Sequence, residues 1–306
     1  MATHDGQWRR APEQGLGALH GPPAAESDTI VVPSGMSGAA LPSVLVVVPT
    51  HNSARTIEAC LRSLRDQSYP CRIAVVDNFS TDETPMIARL QADYFLQAGP
   101  ERCRQRNVGA ALGPAEIVGF VDSDMALEHD VIAQVVAAVD QGSRRVTVPE
   151  RSFGEGFWAA VRAAERAYYQ GSQAMEAPRF FCRSVFEEAG GFDEEMDAAE
   201  DWDLDIRTRH SGPAGRTSAM ILHDEGSPSY LALCRKKAAY AAGIGAFIDK
   251  HGALALRRLA SRTYLRRPWS LFAKQPLVGC GIIALKGGEL VAVLLRFGKS
   301  VLSSPR

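Results

Sequence analysis

Two short apolar runs, within the first 80 residues of the chain, predict buried strands. Ser43–Pro49 and Arg72–Asp77 are rich in valine, leucine and isoleucine and show no polar alternation. Such runs are typical of strands that are covered on both faces. Each run is followed by turn residues and then by a helical pattern. Strand, helix, strand, helix with short connections predicts an α/β fold, in which helices flank a mostly parallel, Rossmann-like sheet.

A third apolar run, Ile117–Val121, ends in two aspartates one residue apart, Asp122 and Asp124. Ligands of open α/β sheets bind just outside the carboxyl ends of the strands. Carboxylate oxygens suit Mg²⁺ and Mn²⁺, and these cations also accept phosphate oxygens. The two aspartates therefore predict a divalent-metal site that holds a diphosphate-bearing substrate. Taken alone, the motif is also explained as a pair of solvated carboxylates at a loop end.

Polar residues also follow the first two strands, at the same predicted edge of the sheet. They are Pro49-Thr50 after the first strand and Asp77-Asn78 after the second. Asp77 is a candidate acceptor for an N–H group of a nucleobase, or else a cap on the turn that follows it. Arg106, ahead of the third strand, belongs to an arginine-rich stretch that suits either phosphate charge or a solvated helix face.

A second acidic cluster begins a predicted helix near residue 200. Its four carboxylates within six positions are Glu200, Asp201, Asp203 and Asp205. Favourable interaction with a helix N-terminus explains part of this acidity but not all of it. A carboxylate held at such a helix start is a candidate general base. His223, at the end of a later strand-like run, is a candidate third metal ligand or a hydrogen-bonded loop residue.

Cysteine spacing and glycine motifs argue against several classes of protein. The six cysteines include no CxxC pair, and no secretory segment begins the chain. We therefore expect neither a disulfide framework nor a zinc site, and a reducing cytoplasm is the simplest location. No GxGxxG follows the first strand and no GxxxxGK[ST] occurs. These absences disfavour a dinucleotide-binding Rossmann domain and a P-loop.

Charge is distributed unevenly along the 306 residues. From Tyr230 to Arg306 there are 14 lysines or arginines and two acids, a balance of +12. The formal net charge of the whole chain is −1, so residues 1–229 carry −13. This asymmetry predicts an appended segment that binds a surface. The expected organisation is a disordered or loosely attached leader (1–42), one α/β domain (43–228) and a helical basic segment (229–306).

The apolar stretch from Leu277 to Phe297 is interrupted near its middle by Lys286 and Glu289. A bilayer span needs about 20 mostly apolar residues. We therefore expect helices that lie in the interface of an anionic membrane. A soluble helical subdomain that covers the sheet or forms a dimer contact is the alternative. Nucleic-acid binding is not expected, because no recognition motif accompanies the basic charge.

Six motifs, in order and with matching spacing, resemble family 2 glycosyltransferases of the GT-A fold. The resemblance extends from about Ser43 to His223. The matching segments are Val46–Asn52, Val75–Asp82, Arg106–Gly109, Phe120–Asp124, Gly190–Asp193 and Glu200–Leu204. Each motif is weak alone, but their common order makes the resemblance specific. One departure is Met125, where many relatives carry a further acid, and this leaves Asp124 as the better metal ligand of the pair.

The resemblance implies roles for the matching residues. Asp201 is implied to be the catalytic base, with Glu200 as the substitute. Asp124 is implied to hold the metal-bound diphosphate and Asp122 the ribose. Asp122 is a further candidate metal ligand, and so, from its position at a strand end rather than from the resemblance, is His223. The residues expected to bind the nucleotide sugar are Pro49, Thr50, Asn52, Asp77, Asn78, Arg106, Asn107, Asp122 and Ser123.

The implied activity is inverting transfer of a sugar from a nucleoside-diphosphate sugar to an acceptor hydroxyl, assisted by Mn²⁺ or Mg²⁺. A glycan or a lipid-linked molecule is a candidate acceptor, a protein or a small molecule is not excluded, and oligomerisation is left open. The expected location is cytoplasmic, at the inner face of the cell membrane. Two other classes stay open: a nucleotidyltransferase of similar fold, which the acidic cluster near residue 200 disfavours, and a non-catalytic scaffold that binds nucleotides or carbohydrates.

Overall fold

The computed structural model describes residues 42–172, 174–260 and 275–302, with side chains as far as Arg296. The predicted leader (1–42) lies outside the described residues except for Pro42. The described strands are β1 (Val44–Thr50), β2 (Arg72–Asp77), β3 (Tyr94–Gln97), β4 (Ile117–Phe120), β5 (Met125–Leu127), β6 (Arg145–Thr147), β7 (Glu150–Phe153), β8 (Phe180–Cys182), β9 (Ala214–Arg216) and β10 (Ile221–Asp224). The described helices are α1 (Ile57–Arg65), α2 (Thr84–Gln91), α3 (Arg102–Ala111), α4 (Val131–Asp140), α5 (Gly156–Ala167), α6 (Arg183–Glu188), α7 (Glu200–Thr208), α8 (Tyr230–His251), α9 (Ala253–Ala260) and α10 (Pro276–Leu302).

The larger sheet has the strand order β3-β2-β1-β4-β8-β6-β9. β1 pairs in parallel with β2 and β4, β2 with β3, and β6 with β9, whereas β8 pairs antiparallel with β4 and β6. Every residue of β1 is buried, because apolar clusters pack on both of its faces. This burial explains why the sequence of β1 has no polar alternation. The prediction of an α/β fold with a mostly parallel sheet is confirmed.

The carboxyl ends of the central parallel strands meet at one edge of this sheet. Thr50 of β1 is in register with Asp77 of β2, and Val47 is in register with Phe120 of β4. The next residue, Val121, still donates a hydrogen bond to the carbonyl of Val47 at 3.0 Å. The aspartates that follow β4 therefore emerge beside the last residues of β1.

A smaller sheet, with the order β5-β10-β7, adds a second wall to this edge. The sequence does not predict this sheet, because β5 and β7 have three and four residues and no long apolar run. β10 pairs antiparallel with β5, so that His223 is in register with Met125. The amide of Asp224 donates to the carbonyl of Asp124 at 2.9 Å. The smaller sheet thus places His223 beside the aspartates that follow β4.

The described part of the basic segment packs on the α/β domain through ion pairs. Lys250 Nζ lies 2.9 Å from Asp203 Oδ1, and His251 Nε2 lies 2.8 Å from the same oxygen. Arg258 Nη1 lies 2.5 Å from Asp205 Oδ2. These contacts direct basic groups of α8 and α9 toward the acids of α7. Part of the charge asymmetry is therefore neutralised within the protein.

α10 has one face against the protein and one face exposed. Leu285 is fully buried, and Lys286 Nζ pairs with Glu165 of α5 and, at 2.8 Å, with Glu289 Oε2. The charges that interrupt the apolar stretch thus face inward. Among the described helices, α10 alone is long and apolar enough to cross a membrane by length and composition, over Pro276–Arg296. Its large exposed apolar residues are Leu277, Ile283, Leu290, Val291, Leu294 and Leu295.

Candidate active site

A cavity of about 590 Å³ opens at the carboxyl edge of the larger sheet. Groups from the ends of β1 and β4, the start of α7, β10 and the side of α8 line it. The structure therefore brings together residues that the sequence predicts for the metal, the diphosphate and the base. The predicted site residues that line the cavity are Pro49, Thr50, Arg106, Asp122, Ser123, Asp124, Glu200, Asp201 and His223.

Arg106 of α3 connects the two acidic clusters. Its side chain is 1% exposed, and its Nη2 lies 2.8 Å from Asp122 Oδ1. Its Nη1 lies 3.1 Å from Glu200 Oε1 and 3.4 Å from Asp201 Oδ1. A buried charge is tolerated when it is paired, and here the partners come from separate parts of the chain. Arg106 therefore fixes the end of β4 relative to the start of α7, and its contact with a nucleotide stays a prediction.

The carboxylate of Asp122 is held by two arginines. Besides Arg106 at Oδ1, Arg179 Nη1 lies 3.6 Å from Asp122 Oδ2. Burial by itself would raise the pKa of Asp122, but the two guanidinium groups hold it well below its usual range. Both oxygens of Asp122 thus face cations. Asp124, whose side chain is 40% exposed, is the more accessible of the two aspartates.

The start of α7 places two neighbouring carboxylates in different environments. The helix begins directly after Ala199, whose φ of 61° lies in the left-handed region that non-glycine residues rarely adopt. The side chain of Glu200 is 5% exposed, whereas that of Asp201 is 37% exposed. Burial, and then the charge of Asp201, raise the pKa of Glu200 above its ordinary value. Asp201 is therefore the accessible carboxylate at this end of the cavity.

Asp124 and His223 form a pair whose geometry fits a divalent cation. Asp124 Oδ2 lies 3.3 Å from His223 Nε2. Adjacent ligands of an octahedral cation are about 3 Å apart when each bond is about 2.1 Å. The other ring nitrogen, His223 Nδ1, lies 3.5 Å from Glu150 Oε2. His223 Nδ1 is buried and makes no hydrogen bond to the described residues, so its contact with Glu150 is at ion-pair distance only. A carboxylate beside the second ring nitrogen commonly orients a metal-binding imidazole.

The fit is limited to these two ligands. In the part of the chain that the structure describes, no group of three or more His, Cys, Asp or Glu side chains is arranged as a metal site. Asp122, the third predicted ligand, has its oxygens directed at arginines. A cation held by Asp124 and His223 therefore needs further oxygens from substrate or water, which is common for Mg²⁺.

The loops after β1 and β2 are hydrogen-bonded to each other. The amide of Asn52 donates to Ser80 Oγ at 2.8 Å, and Asn52 Oδ1 accepts from the amide of Thr81 at 2.9 Å. Asp77 is fully buried, and its Oδ2 accepts from the amide of Ser80 and from Gln97 Nε2, each at 3.0 Å. The carboxylate of Asp77 therefore caps its own turn. Its predicted contact with a nucleobase stays a prediction.

Four of the predicted nucleotide-sugar residues are not among the described residues that line the cavity: Asn52, Asp77, Asn78 and Asn107. Asn78 Nδ2 donates to the carbonyl of Pro100 at 2.9 Å. Asn107 Nδ2 donates to the carbonyl of Phe192 at 2.9 Å, and its Oδ1 accepts from the amide of Phe192 at 2.8 Å. These contacts shape the loops around the cavity, and direct contact of these residues with the donor remains a prediction.

Three further residues shape the site although no sequence motif indicates them. Arg179 Nη2 lies 2.6 Å from Glu150 Oε1, which joins the carboxylate beside His223 to an arginine beside Asp122. Gln105 Nε2 donates to the carbonyls of Thr50 at 3.0 Å and Val76 at 2.7 Å. Gln105 thereby ties α3 to the ends of β1 and β2. Only the fold brings these residues to the cavity, so their sequence positions carry no signal.

Comparisons with known proteins agree on the family. The sequence model of Glycosyl transferase family 2 matches residues 45–202. The glycosyltransferase AglE of Haloferax volcanii is 31% identical over 109 residues, which cover 32% of this chain and 36% of AglE. The poly(ribitol-phosphate) beta-N-acetylglucosaminyltransferase TarS of Staphylococcus aureus is 31% identical over 106 residues, which cover 31% of this chain and 18% of TarS. The matches span much less than two thirds of either relative's length.

Solved structures share the fold at lower sequence identity. S. aureus TarS 1-349 in complex with UDP-GlcNAc aligns with a TM-score of 0.51 and 21% identity, covering 82% of this chain and 81% of that one. The mannosyltransferase PcManGT from Pyrobaculum calidifontis, in complex with GDP-Man and Mn²⁺, aligns with a TM-score of 0.52 and 24% identity, covering 86% and 80%. The GT-A fold is thereby confirmed. Because the family model covers more than half of the chain, this protein belongs to glycosyl transferase family 2.

Proposed function

We propose that this chain transfers a sugar from a nucleoside-diphosphate sugar to an acceptor hydroxyl, with inversion and with the help of a divalent cation. One observation carries the proposal: Asp124, at the end of β4, and Asp201, at the start of α7, line the same cavity. Membership of the family supports sugar transfer and disfavours both nucleotidyl transfer and a non-catalytic scaffold. The UDP-GlcNAc and GDP-Man in the two similar structures support a nucleotide-sugar donor.

We assign the role of general base to Asp201. Its carboxylate is accessible from the cavity, whereas Glu200 is buried against Arg106. Asp201 takes the proton of the acceptor hydroxyl while the hydroxyl oxygen forms a bond to the anomeric carbon. The bond from that carbon to the β-phosphate oxygen breaks, and its electron pair leaves with the nucleoside diphosphate. Because the attack comes from the face opposite the leaving group, a single displacement inverts the configuration.

The leaving diphosphate gains negative charge, and preorganised positive charge lowers the barrier. Asp124 and His223 are the residues that would hold Mn²⁺ or Mg²⁺, and Glu150 would orient the imidazole. When bound there, the cation supplies Lewis-acid stabilisation of the leaving group. Arg106 and Arg179 keep Asp122 ionised in a fixed position at the strand end, where the resemblance assigns it to the ribose.

Calorimetric titration with UDP, GDP and TDP, with and without Mn²⁺, tests the donor and the metal. We expect at least one nucleoside diphosphate to bind about tenfold or more tightly with Mn²⁺, a gain of about 1.4 kcal/mol. Asp124→Asn should remove this gain and leave the metal-free affinity unchanged. If Mn²⁺ strengthens the binding of none of the three, the metal-assisted mechanism is wrong. Release of UDP from UDP-GlcNAc or GDP from GDP-Man then identifies the donor.

We also propose that α10 attaches the protein peripherally to an anionic membrane. The supporting observations are the exposed apolar face of α10, the inward direction of Lys286 and Glu289, and the +12 balance of the segment. Ion pairs of Lys250, Arg258 and Lys286 with acids of the α/β domain neutralise only part of this balance. Leu290→Ser with Leu294→Ser should reduce sedimentation with phosphatidylglycerol vesicles. The matched control is Met86→Ser with Leu90→Ser, which changes two exposed apolar residues of α2. Unchanged sedimentation together with a loss of dimer mass in light scattering would instead identify a second copy as the occupant.

A further inference from the structure

The side of α8 that borders the cavity has a regular pattern. The α8 residues that line the cavity are Leu233, Lys236, Lys237, Tyr240 and Ile244. Residues three and four apart lie on one face of a helix, so these positions form a single stripe. The stripe presents two adjacent lysines to the same cavity as Asp124 and Asp201. None of the motifs in the α/β domain includes this helix.

Charge balance within the cavity distinguishes Lys236 from the other cations. Most acids that line the cavity already have a cationic partner. These pairs are Asp122 and Glu200 with Arg106, Glu150 with Arg179, Glu165 with Arg162, Glu176 with Arg216, and Glu289 with Lys286. In the described ranges 42–172, 174–260 and 275–296, no carboxylate oxygen lies within 4.0 Å of Lys236 Nζ. Lys236 therefore adds positive charge that these carboxylates do not neutralise.

Lys236 has cationic neighbours on the same wall. Lys237 is half-buried and lines the cavity beside it. Arg102 of α3 also lines the cavity, and its Nη2 donates to the hydroxyl of Tyr240, one turn further along α8, at 3.1 Å. The same nitrogen lies 3.6 Å from Glu200 Oε1, a carboxylate that Arg106 also contacts. Clustered ammonium and guanidinium groups are the side chains with which proteins bind phosphate. The wall thus combines phosphate-binding groups from two helices.

We propose that Lys236 and Lys237 of α8, together with Arg102 of α3, form a phosphate-binding site within the active-site cavity. The phosphate belongs either to the diphosphate of the donor or to an acceptor that carries a phosphate group. This inference rests on the proposed function of the cavity and extends it, because it assigns part of the substrate recognition to the basic segment. It also explains why two lysines face a cavity that already contains several arginines.

The test uses the full chain with Lys236→Gln and Lys237→Gln combined. The control combines Arg235→Gln and Arg257→Gln, which remove the same charge from exposed positions that do not line the cavity. The probes are UDP and GDP, with uridine and guanosine as phosphate-free counterparts, and octyl phosphate as a phosphate-bearing molecule without a nucleoside. Affinities are measured by calorimetry with Mn²⁺ present.

We expect the lysine variant to bind a phosphate probe about tenfold or more weakly, while the control variant and the phosphate-free nucleosides are unaffected. Weaker binding of UDP or GDP identifies the donor as the source of the phosphate, and weaker binding of octyl phosphate alone identifies the acceptor. Unchanged affinity for every phosphate probe, or an equal loss for uridine and guanosine, overturns the site. If wild type binds no nucleoside diphosphate, the proposed function fails, and octyl phosphate still tests the lysines.

Discussion

Nη2 of Arg106 donates a hydrogen bond to Oδ1 of Asp122 at 2.8 Å, so a side chain of α3 neutralises the aspartate that follows β4. The other terminal nitrogen of the same guanidinium reaches Glu200 and Asp201 at the start of α7. Because the arginine is buried, its charge is weakly screened by solvent. The distance between the end of β4, where the donor is proposed to bind, and the proposed base Asp201 therefore depends on one buried cation.

Arg106→Met should destabilise the fold, because it leaves buried carboxylates without their cation. Removal of one partner of a buried ion pair costs about 3–5 kcal/mol. Urea denaturation followed by circular dichroism measures the loss. Arg104→Met is the matched control, since Arg104 is an exposed arginine of the same helix. Equal stability of the two variants would contradict the role of Arg106.

The loss of stability in Arg106→Met should depend on pH in a definite direction. Burial by itself raises the pKa of Asp122, but the lowering effect of Arg106 and Arg179 is larger, so the pKa lies below its ordinary value. A carboxyl group with a lowered pKa stabilises the fold above its unfolded pKa of about 3.9, and this contribution disappears as the pH falls through the folded pKa. The difference between wild type and Arg106→Met should therefore be largest near neutral pH and should narrow below about pH 4. A constant difference between pH 7 and pH 3 would exclude this linkage.

The two carboxylates at the start of α7 should differ in their effect on turnover. Asp201→Asn should lower kcat by about 10²–10⁴-fold, the usual contribution of a general base. Glu200→Gln should act mainly on stability, because Glu200 is 5% exposed and is paired with Arg106. Its kcat should fall by less than about tenfold. The rate of nucleoside diphosphate release measures kcat for both variants. A larger loss of kcat in Glu200→Gln than in Asp201→Asn would make Glu200 the base.

Sequence patterns predicted the parts of the site that depend on local structure. The strand that leads to Asp122 and Asp124 is continuously apolar because both of its faces are buried. This pattern is local, so it can be recognised from the few residues of the strand itself. The helix that begins at Glu200 has a comparable local signal in its acidic first turn. Parallel strand ends meet at one edge, and this rule predicts that Asp122 and Asp124 lie beside the ends of the first two strands. The placement of Glu200 and Asp201 at the same site follows only from the resemblance to the family.

Pairings between distant residues could not be predicted in the same way. Spacing does not show that Arg106 faces carboxylates rather than solvent, because its three partners lie on two other segments. β3 also escaped prediction, since Tyr94–Gln97 is a four-residue strand at the edge of the sheet and is partly exposed. On α10, composition shows Lys286 within an apolar stretch, whereas only the packing shows that it points at Glu165.

Asn107→Ala tests whether this residue binds the donor or holds a loop. Its amide makes two buried hydrogen bonds to the backbone of Phe192, and their loss should cost about 2–3 kcal/mol, because buried groups are left unpaired. Thermal and urea unfolding measure the stability, and calorimetry measures the affinity for UDP or GDP with Mn²⁺. We expect lower stability with little change in affinity. Unchanged stability with weaker binding would support the donor contact that the sequence predicts.

Replacement of Ala199 by glycine should change the free energy of unfolding in the opposite direction to the same replacement inside an ordinary helix. Its φ of 61° costs an L-residue about 1–2 kcal/mol, and glycine avoids most of this cost. Ala199→Gly should therefore leave the free energy of unfolding unchanged or raise it by up to about 1 kcal/mol. Ala199→Val should lower it by more than about 1 kcal/mol, because β-branched residues fit this conformation poorly.

The matched control is Ala137, an exposed residue within α4. There the same change to glycine should cost about 0.5–1 kcal/mol, because the conformation is right-handed helix. Urea denaturation of the three variants compares the signs directly. Since Ala199 directly precedes Glu200 and Asp201, the valine variant should also lower kcat through displacement of the base. If glycine destabilises both positions equally, Ala199 is not held in the left-handed conformation in solution, and the start of α7 positions Asp201 differently.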